Sequence, residues 1–271
     1  MKTARVIVVS LLLTAIVAGT ISDVPRRHRP LVLRGYRVLA ADFHVHSFPL
    51  SWATLSPWDT VIEAQWQGLD VIAVTGHNHV WVVKAGRWFS RLVNGPTVLA
   101  GEEIVSSHYH VLAVGIEPTV SWRQTAASAI DVVHRQGGVA IAAHPLAQFW
   151  AAYDADAMRK LDGAKVLHPT AIGDSDYHGL GPMGLCRTYI FTPEDTEQAI
   201  LSALRQRHTV VYDRGRAYGD PALIRLAAED GTLPKLALAM PAPGYLKVYS
   251  RIAGILGLIG AVILGCGTGE E

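Results

Sequence analysis

The sequence predicts an α/β fold, because short apolar strands alternate with helical stretches through the middle of a 271-residue chain. One predicted strand, Val139–Ala143, is apolar at every position, as in a parallel sheet that is covered on both faces. Half of the residues are hydrophobic, which is enough for one well-cored domain. We expect a mainly parallel sheet, either open or closed into a barrel.

The individual elements follow from the same pattern. A helix over Pro57–Gln67 begins at the capping residue Ser56, with a proline at its first position, and ends at Gly68. Two further helices are predicted over Thr125–Gln136 and Glu194–Gln206. The candidate strands are Arg37–His44, Val71–Thr75, Thr97–Ala100, Val111–Val114, Val139–Ala143, Lys165–Leu167, Arg187–Phe191 and Thr209–Val211.

Composition excludes several classes of protein. The formal net charge of +1 gives no general basic patch, so no nucleic-acid partner is indicated. Cys186 and Cys266, the two cysteines, lie far apart, which argues against a disulfide framework or a cysteine zinc site. Twelve histidines in such a chain favour metal binding by imidazole and carboxylate groups.

Both ends of the chain are apolar. Residues 1–24 read as a signal peptide or a membrane anchor, because an uncharged run, Val6–Ile21, follows two basic residues. Residues 246–267 are predicted to form a transmembrane helix around the run Ile252–Cys266. A small residue at every fourth position of that run would let another membrane helix pack closely.

Between the two terminal segments, we expect a central domain over residues 36–215 and a connector over residues 216–245. The protein would then be held at a membrane. Basic residues beside the apolar runs favour the cytoplasmic side for the central domain, whereas a cleaved signal peptide would export it.

The first chemical motif is Asp42-Phe43-His44-Val45-His46, at the end of a predicted strand. Residues two apart on a strand point to the same side, so His44 and His46 can both reach one metal ion. Asp42 would share that face and could hold an imidazole N–H. Taken alone, two such histidines are weak evidence.

Four more predicted strands carry a histidine or an acid at an end, and the joint pattern is harder to explain by chance. Active sites form at the carboxyl edge of parallel α/β sheets. His110 is preferred to His108 because it leads directly into a strand, and His79 is treated as a loop residue. The remaining candidates are His77, Glu102, Glu103, His144, Asp176 and His178.

These motifs together resemble the PHP family, named for its polymerase and histidinol-phosphatase members, and more closely its metallohydrolase branch labelled CehA/McbA. The matching pieces, in order over about residues 40–215, are DFHVHS, LSP, GLDVIAVTxHN, GEE, HVLAVG, AHP and GDSDYHG. The resemblance implies a distorted barrel of the (β/α)7 type. It also implies hydrolysis, usually of phosphoesters, with two or three divalent ions such as Mn, Zn or Fe.

The resemblance also implies roles for individual residues. One ion is expected between His44, His46, Glu103 and Asp176. Glu103 should bridge to a second ion, held with His110 and His144. His77 and His178 should contribute to a third ion. Glu102 is then expected to lie behind the ligands or to face solvent.

Three departures from the family pattern affect these expectations. Trp52 stands where relatives have an aspartate that binds the third ion, and Gly76 replaces another aspartate, so the third site should be less acidic. Only His168–Ala171 separates the strand Lys165–Leu167 from the motif that contains Asp176, which is too short for a normal parallel crossover. Either the barrel is therefore expected to lack one strand or helix of a crossover, or the two segments form one continuous strand.

The function expected from the sequence is a metal-dependent phosphoesterase acting on a small molecule. A hydroxide bridging two ions would attack phosphorus, and the expected catalytic residues are Glu103, Asp176 and His178, with His178 or His77 protonating the leaving group. One alternative is an amide, carbamate or carboxyl ester hydrolase that uses the same scaffold. Another is a membrane-bound sensor or scaffold without turnover, which the short segment at 168–171 favours.

Overall fold

The computed structural model describes residues 27–238, except 28, 50, 145–146, 165–169, 180–182 and 214, and also residues 6, 9, 10, 13, 24 and 25. Contacts group Arg27–Met240 into one compact unit, and Met1–Arg26 with Pro241–Glu271 into another. The predicted transmembrane helix over 246–267 and nearly all of segment 1–24 lie outside the described residues. The helices that are described include none with the length and apolarity needed to cross a bilayer.

Ten strands form one sheet in the described part of the larger unit. The strands are β1 Leu31–Leu33, β2 Tyr36–Val45, β3 Val71–His77, β4 Thr97–Val105, β5 His110–Val114, β6 Val139–Ala142, β7 Gly163–Ala164, β8 Thr188–Thr192, β9 Thr209–Asp213 and β10 Arg216–Gly219. Their order in the sheet is β10-β9-β8-β2-β3-β4-β5-β6-β7, with β1 paired to β2.

The helices that cover the sheet are α1 Pro57–Trp66, α2 Val83–Leu92, α3 Ala126–Arg135, α4 Ala155–Lys160, α5 Glu197–Arg205, α6 Pro221–Asp230 and α7 Thr232–Leu238. A short 3-10 helix spans Ala147–Ala152. Helix α1 begins as predicted, since the Ser56 hydroxyl accepts a hydrogen bond from the Asp59 amide. Helix α2 has no side-chain cap, which explains why the sequence did not reveal it. The expected connector, 216–245, carries β10, α6 and α7 in its described part.

The sheet is mixed, so the expectation of a mainly parallel sheet is wrong. Strand β5 runs antiparallel to both β4 and β6, and β8 runs antiparallel to β2. The loop between β4 and β5 spans only residues 106–109, which suits a hairpin and not a crossover. His110 therefore lies at the start of β5, and the hairpin places it at the edge where β4 ends.

The segment after β7 closes the sheet into a distorted barrel. Ala171 forms a parallel bridge to Ala164 of β7, and Tyr177 forms one to Val45 of β2. The candidate strand Lys165–Leu167 lies outside the described residues. Six residues separate the two bridged alanines along the chain, whereas an ordinary parallel crossover takes about a dozen or more. The predicted distorted α/β barrel is confirmed.

A β-bulge in β2 redirects the first histidine motif. The pairing passes from Asp42 opposite Ile72 to Val45 opposite Val74, so three steps along β2 match two along β3. An extra residue in one strand reverses the alternation of its side chains, so residues after the bulge face the opposite side of the sheet from the one that the earlier pattern would give. Before the bulge, Leu39 and its alternate neighbours face the barrel interior, whereas after it His44 and His46 do.

The interior of the barrel is apolar at the end away from these histidines. Leu39, Ala73, Leu99, Leu112 and Ile141 pack there in one cluster with residues of helix α5. Leu201 of α5 lies against Gly115, which directly follows the far end of β5. Helix α5 therefore closes the barrel opposite the edge that carries His110.

Gly101, in β4, is expected to be needed for the close approach of β5. A Cβ atom at this position would lie 2.6 Å from the Ala113 carbonyl oxygen. We expect Gly101→Ala to lower the free energy of unfolding by about 1–3 kcal/mol, because backbone cannot move aside easily. Denaturant unfolding measures the change.

Gly86, in α2, provides the matched control for this substitution. A Cβ atom there would meet its nearest neighbour, the Pro57 carbonyl oxygen, at an ordinary distance of 3.5 Å. Gly86→Ala should therefore be neutral or stabilising by up to about 1 kcal/mol. Equal effects of the two substitutions would contradict the strand packing described above.

Candidate metal centre

The eight residues predicted to bind metal come together at one end of the barrel. They are delivered by six successive parts of the chain, because β2 to β6 each place a side chain at this edge and the closing segment adds two more. The eight residues are His44, His46, His77, Glu103, His110, His144, Asp176 and His178. Contacts between chain segments distant in sequence thus form the cluster.

The Glu103 carboxylate stands at the centre and is only 1% exposed. Its Oε1 lies 2.8 Å from His110 Nδ1 and 2.9 Å from His144 Nε2. Its Oε2 lies 3.1, 3.2 and 3.5 Å from the Nε2 atoms of His44, His77 and His46. The two oxygens therefore face two different sets of imidazoles.

Asp176 provides a second carboxylate beside Glu103. Its Oδ1 lies 3.2 Å from the Nε2 atoms of both His44 and His46, and its Oδ2 lies 3.8 Å from His144 Nδ1. The backbone of Asp176 is left-handed, with φ of +50°, a conformation that aspartate tolerates better than most residues. This turn directs the carboxylate back towards β2.

Three groups of side chains have ligand atoms close enough to share an ion. His44, His46, Glu103 and Asp176 form one group, and Glu103, His110 and His144 form the second. His46, His77 and His178 form the third. Within each group the ligand atoms lie within 4.8 Å of one another. These groups follow the sets implied by the resemblance, except that His46 also joins the third.

The donor atoms of the first group are suited to a cation. His44 and His46 are fully buried, yet none of their four ring nitrogens has a hydrogen-bond partner among the described residues. Asp176 Oδ1 is likewise buried without such a partner. Buried polar atoms normally make hydrogen bonds, so imidazoles and carboxylates that converge in this way fit a divalent metal ion.

The electrostatics also suit a cation. Burial alone would raise the pKa of Glu103, but the surrounding imidazoles, those of His110 and His144 most strongly, hold it well below its ordinary value. Burial would likewise raise the pKa of Asp176, and the imidazoles around it lower it below the usual range. Burial lowers the pKa of His46 to about 4. Both acids are therefore ionised, and His46 is neutral, at neutral pH, as metal ligands must be.

Asp42 does not hold an imidazole, contrary to expectation, because the bulge places it on the other face of β2. Its Oδ1 accepts hydrogen bonds from the amides of His44 and Ser175, and its Oδ2 accepts from the Gly184 amide. Burial raises the pKa of Asp42 to about 6. Asp42 therefore ties the closing segment to β2. The carboxylate of Asp174 is nearer to an imidazole, at 3.8 Å from His44 Nδ1.

Glu102 points away from the cluster, since neighbouring strand residues face opposite sides. It is fully buried, and one oxygen accepts a hydrogen bond from the Val120 amide. Burial raises the pKa of Glu102 to about 7. The expectation that Glu102 might face solvent is therefore wrong. Among the pair of acids, only Glu103 reaches the imidazoles.

The two positions at which the family resemblance implies an aspartate, Gly76 and Trp52, differ in their surroundings. Gly76 alternates with His77 on β3, so a side chain there would face away from the cluster. The His79 ring covers that space, because a Cβ atom at Gly76 would lie 2.4 Å from His79 Cε1. Trp52 is 92% exposed. The third group consequently consists of imidazoles alone.

Two aromatic residues that the sequence did not identify support His110. The ring of Phe149, in the 3-10 helix, stacks on the His110 ring at a centroid distance of 4.7 Å. The Tyr153 hydroxyl donates a hydrogen bond to the His110 carbonyl oxygen. No spacing rule links these residues to a strand 40 positions earlier, so only the folded chain shows their role.

Comparison with known proteins supports the fold. No protein-family model matches the chain, and neither does a curated protein. A crystal structure from Bacteroides vulgatus, of a two-domain protein containing a predicted PHP-like metal-dependent phosphoesterase, matches with a TM-score of 0.59 and 23% identity. The match covers 76% of this chain and 74% of that chain.

A second structure, of a protein assigned as a metal-dependent phosphoesterase from Bifidobacterium adolescentis, matches at 17% identity with a TM-score of 0.41. It covers 61% of this chain and 94% of that one, but the score is too low to support an argument. The fold of the Bacteroides vulgatus protein agrees with the distorted barrel described above. The chain therefore has the PHP-like fold that its motifs resemble.

Proposed function

We propose that this protein is a metal-dependent phosphoesterase. The observation that carries the proposal is the Glu103 carboxylate, whose two oxygens face separate groups of imidazoles. A carboxylate in this position would hold a pair of divalent ions together with the imidazoles, and such a pair supplies the chemistry of phosphoester hydrolysis. The fold shared with the Bacteroides vulgatus protein favours phosphorus over carbonyl carbon as the point of attack.

The ligand sets distribute charge unequally between the two ions. The group of His44, His46 and Asp176 adds a carboxylate to the shared Glu103, whereas His110 and His144 are both imidazoles. Manganese, zinc and iron all accept such mixed ligands. When bound, the pair of ions supplies an activated water as the nucleophile and offsets the charge on the phosphoryl oxygens.

Three features of His178 support a role as the general acid. Its Nδ1 lies 3.0 Å from the Asp176 carbonyl oxygen, so Nδ1–H donates there and orients the ring. The ring also stacks on His46 at 4.0 Å. Its side chain is 30% exposed, so the other ring nitrogen, Nε2, can reach a substrate. In the imidazolium form, Nε2–H would protonate the leaving oxygen.

If Glu103 binds both ions, substitution of Glu103 and of the adjacent Glu102 should affect metal binding very differently. Glu103→Gln should abolish binding of both ions, because an amide cannot supply two anionic oxygens. Glu102→Gln should retain both ions, since Glu102 lies on the other face of β4. Metal content after dialysis against Mn²⁺ or Zn²⁺, measured by plasma mass spectrometry, tests the difference. Equal metal content in the two variants would contradict the bridge.

Turnover should depend on the same cluster. We expect the metal-loaded chain to hydrolyse p-nitrophenyl phosphate, and a chelator to remove that activity. His110→Ala should lower kcat/KM by about 100-fold or more, because it removes a ligand of one ion. His108→Ala is the matched control, since His108 is exposed at the loop before β5. Faster hydrolysis of p-nitrophenyl acetate or an aryl carbamate would argue against phosphoesters.

Asp174 should stabilise the metal-bound form from behind His44. Carboxylates behind a metal-binding imidazole orient the ring, and their loss typically weakens metal affinity about 10- to 100-fold. Titration calorimetry of Asp174→Asn should show a loss in that range for the tighter ion. Asp156→Asn, at an exposed position of α4, is the control and should bind as the unaltered chain does.

A further inference from the structure

We propose that the Ser51–Thr54 turn, with Trp52 at its tip, is a specificity element that favours phosphoesters whose leaving group is aromatic. This inference rests on the proposed function, since it concerns the same site. It names a class of substrate that the metal ligands do not define. Three observations support the proposal: the hydrogen bonds that fix the turn, the exposure of Trp52, and a second exposed aromatic residue on the same loop.

Both ends of the turn are bonded to the backbone of candidate ligands. The Ser51 hydroxyl oxygen accepts a hydrogen bond from the His77 amide at 2.7 Å. The Thr54 amide donates to the His178 carbonyl oxygen at 3.0 Å, and the Thr54 hydroxyl donates to the same oxygen at 3.3 Å. The turn therefore spans two of the three histidines in the third group and cannot move independently of them.

The turn presents its tryptophan outwards at a conformational cost. Ser51 and Trp52 have left-handed backbones, with φ of +73° and +57°. This region is unfavourable for a bulky residue, and such strain concentrates at functional sites. Trp52 is 92% exposed, whereas Ala53 next to it is buried. No core contact of Trp52 explains why an indole occupies this position.

Two further exposed aromatic residues follow the ends of β2 and β3. Phe48, after β2, is 57% exposed, and its amide donates a hydrogen bond to the Leu55 carbonyl oxygen, so it lies on the same loop as the turn. Trp81, after β3, is 55% exposed, and its ring meets that of His79 edge-on at 5.9 Å. The His79 ring covers Gly76 on the face of β3 away from the cluster, so Trp81 is not part of the proposed element. Phe48 therefore adds an exposed aromatic group to the loop that carries Trp52.

These positions suit a substrate with two chemically different ends. The ionic cluster takes the phosphoryl group, and flat apolar rings nearby favour a planar apolar group on the ester oxygen. An indole face stacks on an aromatic ring more favourably than on a short alkyl chain. Trp52 thus influences which leaving group is favoured. The reaction remains hydrolysis, with water adding to phosphorus and the aryl alcohol leaving with a proton.

The experiment compares 1-naphthyl phosphate with methyl phosphate on the metal-loaded full chain. Trp52→Ala should raise KM for the naphthyl ester about three- to tenfold, the range expected for one aromatic stack, while kcat stays nearly constant. KM for methyl phosphate should not change. For each substrate, the KM of the variant is divided by the KM of the unaltered chain. Differences in the intrinsic reactivity of the two leaving groups therefore cancel. Trp52→Phe should restore most of the naphthyl affinity.

Trp88→Ala is the matched control, because Trp88 is also exposed, at 67%, but lies on α2 away from the turn. It should leave both KM values unchanged. Equal effects of Trp52→Ala on both substrates, or equal effects of the two tryptophan substitutions, would overturn the proposal while leaving the phosphoesterase function intact.

Loss of all turnover would instead count against the proposed function, and binding then tests the turn separately. Calorimetry with 1-naphthylphosphonate and methylphosphonate gives that measurement. Tighter binding of the naphthyl compound that Trp52→Ala abolishes would support the specificity element. Equal binding of the two compounds would overturn it.

Discussion

The structure depends on one buried carboxylate. Glu103 is 1% exposed, and burial of a charged acid is unfavourable unless opposite charges or hydrogen bonds compensate. Five imidazoles from four parts of the chain provide that compensation on both of its oxygens. The imidazoles that stabilise the buried charge also direct several ring nitrogens towards the same points. A pair of cations would need ligands placed in this way.

The barrel departs from regular geometry where it has to serve this carboxylate. The bulge in β2 turns His44 and His46 inwards, and the tight hairpin between β4 and β5 returns His110 to the edge where Glu103 lies. The closing segment then brings Asp176 back beside β2. Each irregularity adds a donor that a straight parallel strand would have placed elsewhere. The apolar plug of α5 at the opposite end leaves this edge free for chemistry.

The convergence of histidines and acids at one edge was predictable from their joint pattern beside apolar strands, whereas the distorted barrel and the grouping of these residues around individual ions were implied by the family resemblance. The bulge was not, since the spacing of Asp42, His44 and His46 is the same with or without an extra residue. A strand pattern also contains no direction, so the antiparallel course of β5 was missed. The support of His110 by Phe149 and Tyr153 was missed as well, because no local pattern in the sequence signals it.

Anomalous diffraction from crystals grown with Mn²⁺ would show whether Glu103 lies between two ions. We expect a peak on each side of the Glu103 carboxylate, one near His44, His46 and Asp176 and the other near His110 and His144. The separation should be about 3.5–4 Å, as in other two-metal hydrolytic sites. Absence of both peaks, or a single ion that Glu103 does not contact, would contradict this expectation.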